Sequence, residues 1–400
     1  AALDAPILFE DFQNVIRTKA KNKSPGMSGA TINMIASMSK PSLLLLYNEL
    51  NFLWLHRSHA HSINPPSWNR RWMCMVPKEK LGTIKLDKIR PISLYEVTRK
   101  VWTGIVNDRI TRVWSDCKAL HQAQYGYRPG LGTESEIIQL LNIIGHTAEQ
   151  NTPFYLMGFD TKKAFDSVNK DLMKAAWIRL GVPSDIASYL MELDNDGLTT
   201  IKSPHANSIY HQIDKHDVLC NITDNHHAQS FHAVDGIGQG DSTSATAWIA
   251  IYDILLCMLD HNVIHPMFYR VDQQHVDKCD VFAYADDLNT ISPNIHHLQR
   301  TVDIVSAYNA NTGFQFNDKL ECGTNIILNG PAQKITFHDQ DWNPKNLFIV
   351  NKLTIKILGI PVDLTNGWKT LYTYVQQLMT RLVVPLARKN VSPETKLLAY

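Results

Sequence analysis

Apolar positions along the chain follow a helical period in some stretches and the pattern of buried strands in others. Apolar residues that recur every three or four positions predict helices at 8–22, 42–58, 95–116, 133–149, 170–180, 184–195, 242–260, 296–311 and 367–400. Short apolar runs predict strands at 71–77 and 153–160, a hairpin over 279–292, and strands near 325–329, 335–338, 346–350 and 354–360. Helices and strands mix without strict alternation, so the predicted fold class is α+β.

Local signals refine this pattern. Thr133 opens one helix with Glu136 three residues later, which predicts a capping box, and Asp241 or Ser242 is expected to cap the long apolar helix that follows. No run of 18 apolar residues occurs, so neither a membrane span nor a membrane partner is predicted. The chain starts without methionine and ends inside a predicted helix, so we expect a fragment of a longer polypeptide.

Charge is distributed unevenly. Residues 1–130 hold 19 Lys and Arg against 9 Asp and Glu, whereas residues 131–400 hold 20 against 29. This asymmetry suits a protein that grips phosphates with one part and metal ions with another; the alternative is a chance distribution over solvated surfaces. The six cysteines have no zinc-ligand spacing, which favours reduced thiols in an intracellular protein.

Three aspartates lie where predicted strands end. Asp160 ends the strand at 153–160, and Asp286 and Asp287 lie at the tip of the predicted hairpin. A carboxylate at the end of a buried strand is costly unless a cation neutralises it, although a helix cap or a turn is an equally common role for a single aspartate. For the adjacent pair the alternative is a type I′ turn, which favours Asp-Gly or Asn-Gly over Asp-Asp.

Carboxylates held side by side on two strands suit phosphoryl transfer with two metal ions. One ion activates an attacking hydroxyl and the other, about 4 Å away, neutralises the triphosphate and its leaving group. Asp160 and Asp286 are the predicted principal ligands, and Asp287 is a weaker third because adjacent strand residues point to opposite faces. Two Mg²⁺ ions are the expected cofactors, and Mn²⁺ suits the same ligands.

Two further segments suit nucleotide binding. A glycine-rich loop at 236–244 would let a base pair approach the backbone closely, and Gln239 and Gly240 are its predicted nucleotide contacts. Basic side chains suited to a triphosphate are Lys78, Lys88 and Arg90. Glycine-rich joints before helices and solvated surface charges are both common, so each signal is weak alone.

Together and in this order, the segments resemble the reverse transcriptases of non-LTR (LINE-type) retrotransposons. The resemblance covers nearly the whole chain, from about residue 24 onward, and its motifs lie at 24–29, 72–94, 124–133, 160–168 (A), 238–244 (B), 284–287 (C), 313–319 (D) and 357–360 (E). Three positions depart from the family pattern. Ser28 replaces an Asp, Asp241 stands where these elements often have Cys, and one residue rather than two separates Asn317 from Lys319.

The resemblance implies a right-hand polymerase with an antiparallel palm sheet packed on helices. The fingers would be residues 1–150, the palm 151–365 with motifs A to E, and the start of a truncated helical thumb 366–400. Lys319 would protonate the leaving pyrophosphate and Phe165 would exclude the ribose 2′-hydroxyl. Contacts to nucleic acid would come from Arg128, Tyr284, Leu358 and Gly359.

The implied activity is RNA-directed DNA synthesis, in which dNTPs are added to a DNA primer on an RNA template. The partners would include the other domains of one retrotransposon polyprotein, and action in the nucleus is expected. An RNA-dependent RNA polymerase is the rival, but such enzymes have Asp at the position of Phe165, and here the Asp comes one residue later. A non-catalytic nucleic-acid-binding derivative is expected to have lost a metal carboxylate, and none is missing.

A histidine-rich stretch offers one more alternative. It comprises His205, His211, His216, Cys220, His226, His227 and His232. Their spacings fit no zinc module. We therefore expect a polar, solvated insertion at about 198–232.

Overall fold

A computed structural model gives the fold of the chain. It describes residues 3–18, 23–59, 63–77, 89–152, 154–195, 197–202, 212–213, 219–220, 231–233, 236–262, 268–270, 276–278, 280–316, 325–329, 335–339, 341–346, 348–350, 354–363, 368, 371–377 and 380. The helices are α1 (Phe9–Thr18), α2 (Ile32–Ala36), α3 (Lys40–Leu55), α4 (Val97–Asp116), α5 (Thr133–Glu149), α6 (Lys170–Arg179), α7 (Ser184–Asn195), α8 (Ser242–Asn262) and α9 (Ile295–Thr312).

The strands complete the architecture. They are β1 (Arg70–Pro77), β2 (Ile89–Leu94), β3 (Phe154–Asp160), β4 (Leu198–Lys202), β5 (Gln212–Ile213), β6 (Leu219–Cys220), β7 (Phe231–His232), β8 (Phe268–Arg270), β9 (Val276–Lys278), β10 (Val281–Tyr284), β11 (Asp287–Ser292), β12 (Asn325–Asn329), β13 (Thr336–His338), β14 (Pro344–Asn346), β15 (Phe348–Val350), β16 (Thr354–Ile357) and β17 (Ile360–Asp363). This mixture confirms the predicted α+β class.

A five-stranded sheet in the order β10-β11-β3-β12-β15 lies between two apolar layers. Phe154 and Leu156 of β3 point to one face, where they join the core formed with α5. The alternate residues Tyr155, Met157 and Phe159 point to the other face and join the larger core that includes α4, α6, α8 and α9. Because both faces are buried, the strand is apolar at nearly every position, as its continuous apolar run predicted.

A second, four-stranded sheet has the order β2-β1-β4-β7. β1 pairs antiparallel with β2 and parallel with β4, so that Arg70 lies opposite Leu198. This sheet takes two strands from the range predicted as fingers and two from the range predicted as palm. The boundary at residue 150 stays a prediction.

The predicted capping box at the start of α5 is wrong. The N-cap residue is Gly132, which has no side chain to cap the helix, and Thr133 is the first helical residue. Glu136 is fully buried, and its Oε1 accepts a hydrogen bond from Asn289 Nδ2 at 3.2 Å. The first turn of α5 packs against the five-stranded sheet, so the Glu136 carboxyl group faces that sheet. It therefore bonds Asn289 of β11 and does not bond the backbone at the start of its own helix.

Helix α8 is long and apolar enough to cross a bilayer by length and composition. However, 67% of its most apolar 18-residue stretch is buried inside the protein. Trp248, Leu255 and Leu256 are fully buried within the larger core. The apolar composition of α8 is therefore explained by its position at the centre of the larger core.

Candidate active site

Two of the predicted metal-binding aspartates lie directly opposite each other. β3 and β11 pair antiparallel with Asp160 opposite Asp287, and β10 continues the row by placing Tyr284 opposite Asp287. Residues paired in this way point their side chains to one face, with Cβ atoms about 5 Å apart. The register therefore brings two carboxylates and a tyrosine together at one end of the sheet.

Asp286 is placed by the turn that joins β10 to β11. The two turn residues are Ala285 and Asp286, and of these only Ala285 has a positive φ, at 57°. A positive φ at the first turn residue alone is the pattern of a type II′ turn. The type I′ alternative, which needs a positive φ at both residues, is therefore wrong.

The three carboxylates influence one another. The Asp287 side chain reaches solvent, yet the protein around it raises its pKa to about 6, first by burial and then through the negative charges of Asp286 and Asp160. The pKa of the Tyr252 phenol on α8 is also raised, first by complete burial and then by all three aspartates. The site is an array of mutually repelling acids on a rigid support.

Such an array suits a divalent cation, because a bound cation removes the repulsion that raises the pKa. Among the described residues no three Asp, Glu, His or Cys side chains form a ready-made metal cage. The site therefore suits a divalent cation because its three carboxylates supply oxygen ligands and repel one another when no cation is bound. The order of importance between Asp286 and Asp287 stays a prediction, although Asp287 is the one that lies opposite Asp160.

The glycine-rich loop packs against β2. The carbonyl of Gln239 accepts a hydrogen bond from Ser93 N at 2.7 Å. Gly240 has a φ of 131°, and a Cβ there would lie 2.3 Å from the Ser93 carbonyl oxygen. The close approach that requires glycine is therefore to the protein's own backbone. It sets Gln239 and Gly240 beside the strand that carries the exposed Arg90.

Phe165 adjoins the same loop. It lies in the 3₁₀ turn Ala164–Ser167, and its carbonyl accepts a hydrogen bond from Ile237 N at 2.9 Å. Its half-buried ring stacks on Trp248, with 5.6 Å between ring centroids and 27° between planes. The ring is therefore fixed by the core below it and lies next to the predicted nucleotide-binding loop.

Asp241, the departure from the family's motif B, has a buried partner. Arg99 donates to its Oδ2 from Nε at 3.0 Å and from Nη2 at 2.7 Å. Arg99 also donates to Asp194 at 2.7 Å, and Arg71 reaches Asp194 at 3.3 Å. Burial alone would raise the pKa of Asp194, but the two arginines lower it below its ordinary value. Four charged side chains, all of them buried except the partly buried Asp194, thus join β1, α4, α7 and the loop before α8.

The segment at 123–128 lies along the edge of the β10–β11 hairpin. Ala283 N donates to the carbonyl of Ala123 at 2.8 Å, and Tyr125 N donates to the carbonyl of Ala283 at 2.7 Å. Arg128, a predicted nucleic-acid contact, uses Nη1 to bond the carbonyls of His121 and Gln124, both at 3.1 Å. Its guanidinium therefore helps to shape this segment.

The remaining predicted site residues fall in two groups. Leu358 and Gly359 form the turn between β16 and β17, with φ values of 50° and 80°. The same hairpin contributes Ile357 and Val362 to the core on the α5 side of the sheet. Lys78, Lys88 and Lys319, and all the insertion histidines except the exposed His232, lie outside the described residues.

Four residues were not predicted from the sequence to contribute to this site. Gln124 bonds the turn that carries Asp286, Glu136 and Asn289 bond each other beside β11, and Arg99 holds Asp241. Gln124 falls inside a recognised motif, and Asn289 follows the acid pair by two residues. Those positions were the available signals, and neither specified a contact.

Paired carboxylates at a sheet end, together with a glycine-rich loop and an aromatic residue, are the arrangement expected in the palm of a template-directed nucleotide polymerase. The chain belongs to the family described as reverse transcriptase (RNA-dependent DNA polymerase), whose model matches residues 76–362.

Relatives narrow this assignment. The chain is 25% identical over 326 residues to the "Retrovirus-related Pol polyprotein from type-1 retrotransposable element R2" of Popillia japonica, covering 81% of this chain and 40% of that protein. It is 23% identical over 166 residues to the "RNA-directed DNA polymerase from mobile element jockey" of Drosophila melanogaster, covering 40% and 17%. The predicted non-LTR retrotransposon resemblance is confirmed, and the chain spans less than half the length of these relatives.

One further relative and one solved structure are also similar to the chain. The "Transposon TX1 uncharacterized 149 kDa protein" of Xenopus laevis is 21% identical over 375 residues, covering 90% of this chain and 24% of that protein. The apo telomerase structure from Candida tropicalis, truncated from its C-terminal domain, aligns with a TM-score of 0.44 and 13% identity over 76% of this chain and 55% of that one.

Proposed function

We propose that this chain is the polymerase core of a non-LTR retrotransposon polyprotein, which acts in the nucleus and extends a DNA primer on an RNA template. The observation that carries the proposal is the register of β3 with β11, which sets Asp160 opposite Asp287 directly after the turn bearing Asp286. Membership of the reverse transcriptase family over residues 76–362 supports the choice of reaction.

The acids have one proposed role. Asp160, Asp286 and Asp287 would hold two divalent ions, Mg²⁺ or Mn²⁺, whose chemistry is to activate the primer 3′-hydroxyl and neutralise the triphosphate. The protein's own contribution would be to hold the three carboxylates close together. Burial first, and then the negative charges of Asp286 and Asp160, raise the pKa of Asp287, which makes its ionised form costly before a cation binds.

The neighbouring residues would select and orient the nucleotide. The loop with Gln239 and Gly240 would face the incoming base pair, and the exposed Arg90, with Lys78 and Lys88, would bind the triphosphate. The fixed ring of Phe165 would exclude a ribose 2′-hydroxyl. Lys319 would supply a proton to pyrophosphate, and contacts to template and primer would come from Arg128, Tyr284, Leu358 and Gly359.

Primer extension tests the proposal. The purified chain is given a DNA primer annealed to an RNA template, dNTPs and Mg²⁺, and the initial rate is compared for the parent and for Asp160→Asn, Asp286→Asn and Asp287→Asn. We expect each substitution to lower the rate by about 100-fold or more, because charge stabilisation at the reacting phosphate is lost. Asp171→Asn, which removes an exposed carboxylate on α6, is the matched control and should keep the parent rate.

Three outcomes would overturn the proposal. Equal extension by the parent and by Asp160→Asn would remove the acids from the reaction. Faster extension with rNTPs than with dNTPs on the same template would identify an RNA polymerase instead. A parent that binds the template–primer but does not extend it would be a nucleic-acid-binding derivative.

A further inference from the structure

The turn that carries the acids has a conformation that its sequence does not favour. Ala285 has a φ of 57°, in the left-handed region. A residue with a Cβ is disfavoured there by about 1–3 kcal/mol and stays there only when its surroundings hold it. Asp286 and Asp287 follow Ala285 directly in the chain. Contacts that fix the backbone of Ala285 therefore also fix the backbone positions from which both carboxylate side chains extend.

Gln124 makes the contacts that do this. Its side chain is completely buried. Its Oε1 accepts a hydrogen bond from Ala285 N at 3.0 Å, and its Nε2 donates to the Ala285 carbonyl at 3.4 Å. A primary amide offers a donor and an acceptor in one plane, so one side chain binds both polar backbone groups of the strained residue. The same Oε1 accepts a third hydrogen bond, from Gly126 N at 2.9 Å.

Gly126 completes the contact from the backbone side. A Cβ at this position would lie 2.4 Å from Ala285 N and 3.1 Å from the carbonyl carbon of Tyr284. Both neighbours are backbone atoms that cannot rotate away, so a side chain here would displace the turn. The glycine of this segment is therefore explained by the approach of one backbone to another.

The main chain fixes the position of this pair. Hydrogen bonds join Ala283 N to Ala123 O and Tyr125 N to Ala283 O, so residues 123–125 form a bridge along β10. This backbone pairing therefore places the Gln124 side chain next to the turn between β10 and β11. Its partner is 161 residues away in the chain, so the contact is a tertiary one.

We propose that Gln124 and Gly126 form a clamp that holds the turn in the conformation in which Asp286 and Asp287 bind metal together with Asp160. Gln124 is a positioning residue, because it touches the backbone of the turn and acts through the acids. This inference rests on the proposed function of the acids. On this inference, the Gln-Tyr-Gly segment, which lies in the range predicted as fingers, fixes the position of two of the three metal ligands.

Two substitutions perturb the clamp in different ways. Gln124→Glu keeps the shape and the acceptor but replaces the amide donor with a carboxylate that faces a carbonyl. Gly126→Ala leaves every hydrogen-bonding group in place and pushes on Ala285 N. Thr147→Val is the control, because Thr147 is also fully buried and its hydroxyl donates to carbonyls of its own helix, at 3.0 Å from Ile143 O and 2.9 Å from Ile144 O.

The first measurement is metal binding without turnover. The rise in the thermal unfolding midpoint with Mg²⁺ or Mn²⁺ concentration gives an apparent metal affinity, since a ligand that binds only the folded state stabilises it. We expect both clamp variants to need at least about tenfold more metal for the same rise, which corresponds to about 1.4 kcal/mol. Thr147→Val should lose midpoint temperature without any change in metal requirement.

The second measurement is primer extension by the same proteins. We expect the clamp variants to lower kcat by about 10- to 100-fold, with the KM for dNTP nearly unchanged and the Mg²⁺ optimum shifted upward. Clamp variants that lose only midpoint temperature, as the control does, would overturn the inference. So would a parent whose unfolding does not respond to metal.

The two proposals fail separately. A parent that binds metal but does not extend primers would contradict the proposed polymerase function, while the metal titration would still decide the clamp. A parent that extends primers, with clamp variants of unchanged metal requirement, would contradict the clamp alone.

Discussion

At the scale of single residues, the aromatic ring of Phe165 is held in place before any nucleotide binds. One face stacks on Trp248, and the backbone carbonyl anchors the glycine-rich loop through Ile237. Packing and sugar selection are therefore compatible roles for one ring. A ring that cannot move away is better suited to excluding a hydroxyl than a free one, because exclusion by shape requires a fixed wall.

Replacing this ring tests its selective role. Phe165→Val should raise ribonucleotide incorporation relative to deoxyribonucleotide incorporation by about tenfold or more, because the smaller side chain leaves room for a 2′-hydroxyl. The measurement is the ratio of kcat/KM for the dNTP and the rNTP of one base. Phe165→Tyr keeps the ring and should keep the parent ratio. An unchanged ratio in the valine variant would leave Phe165 only as a packing partner of Trp248.

The site residues that could be predicted from the sequence are those whose charge is unusual for their position in a predicted strand. Asp160 and the Asp286-Asp287 pair are acids at the ends of apolar strands, which is costly without a cation. Gln124 and Glu136 have ordinary chemistry for their positions, and their partners lie 161 and 153 residues away. Nothing local distinguishes them, so only the tertiary structure shows what they contact.

At the scale of elements, α5 brings an uncharged acid to the side of β11. Glu136 is fully buried, and its Oε2 has no hydrogen-bond partner among the residues that the structure describes. Burial raises its pKa to about 8, the hydrogen bond from Asn289 partly offsets this, and the charge of Asp287 adds to it. The carboxyl group is therefore protonated at neutral pH, and it adds no negative charge beside Asp287.

This protonation makes folding stability depend on pH. The folded chain keeps the proton up to about pH 8, whereas an unfolded glutamate loses it near pH 4.5. The contribution to stability is therefore complete below pH 4.5 and is lost as pH rises to about 8. Glu136→Gln supplies a permanently neutral group, so at pH 8.5 it should raise the free energy of unfolding by about 1–3 kcal/mol.

Urea unfolding at pH 5 and at pH 8.5 measures this effect. The difference between Glu136→Gln and the parent should be large at pH 8.5 and near zero at pH 5. Glu149→Gln, at the exposed end of the same helix, should show no such dependence. A Glu136→Gln variant that is less stable at both values would show that Glu136 is ionised in the folded chain.

Most elements could be predicted because their patterns are local. α5 and α7 begin and end at the predicted residues. The pairing of strands could not be predicted in the same way. The predicted strand at 354–360 is a hairpin that turns at Leu358 and Gly359, and the parallel pairing of β1 with β4 carries no local signal at all.

At the scale of the whole molecule, part of the charge asymmetry is used inside the protein. Arg71 and Arg99 come from the basic first part of the chain, and their partners Asp194 and Asp241 come from the acidic second part. On the surface, Arg57 pairs with Asp185 in the same sense. The asymmetry therefore reflects contact between the two parts as well as any grip on phosphates.

Breaking the buried pair should destabilise the whole fold. Asp241→Ala leaves Arg99 buried with one fewer carboxylate, so we expect the free energy of unfolding to fall by about 3–5 kcal/mol. Arg112→Ala removes an ion pair with Asp11 whose arginine is 60% exposed, and it should cost less than about 1 kcal/mol. Urea unfolding at one pH compares the two. Equal losses would show that the Arg99 network contributes little.

The parallel pairing of β1 with β4 also orders events during synthesis. Arg71 donates to Thr199 across 128 residues of chain, so β1 has left the ribosome long before its neighbour is made. At about 5–20 residues per second the delay is roughly 6 to 25 seconds. During that interval one edge of β1 can pair only with β2, and the other edge is open to chaperones or to a second nascent chain. A chain with this topology therefore exposes an unpaired strand edge in its first part while the ribosome completes the second.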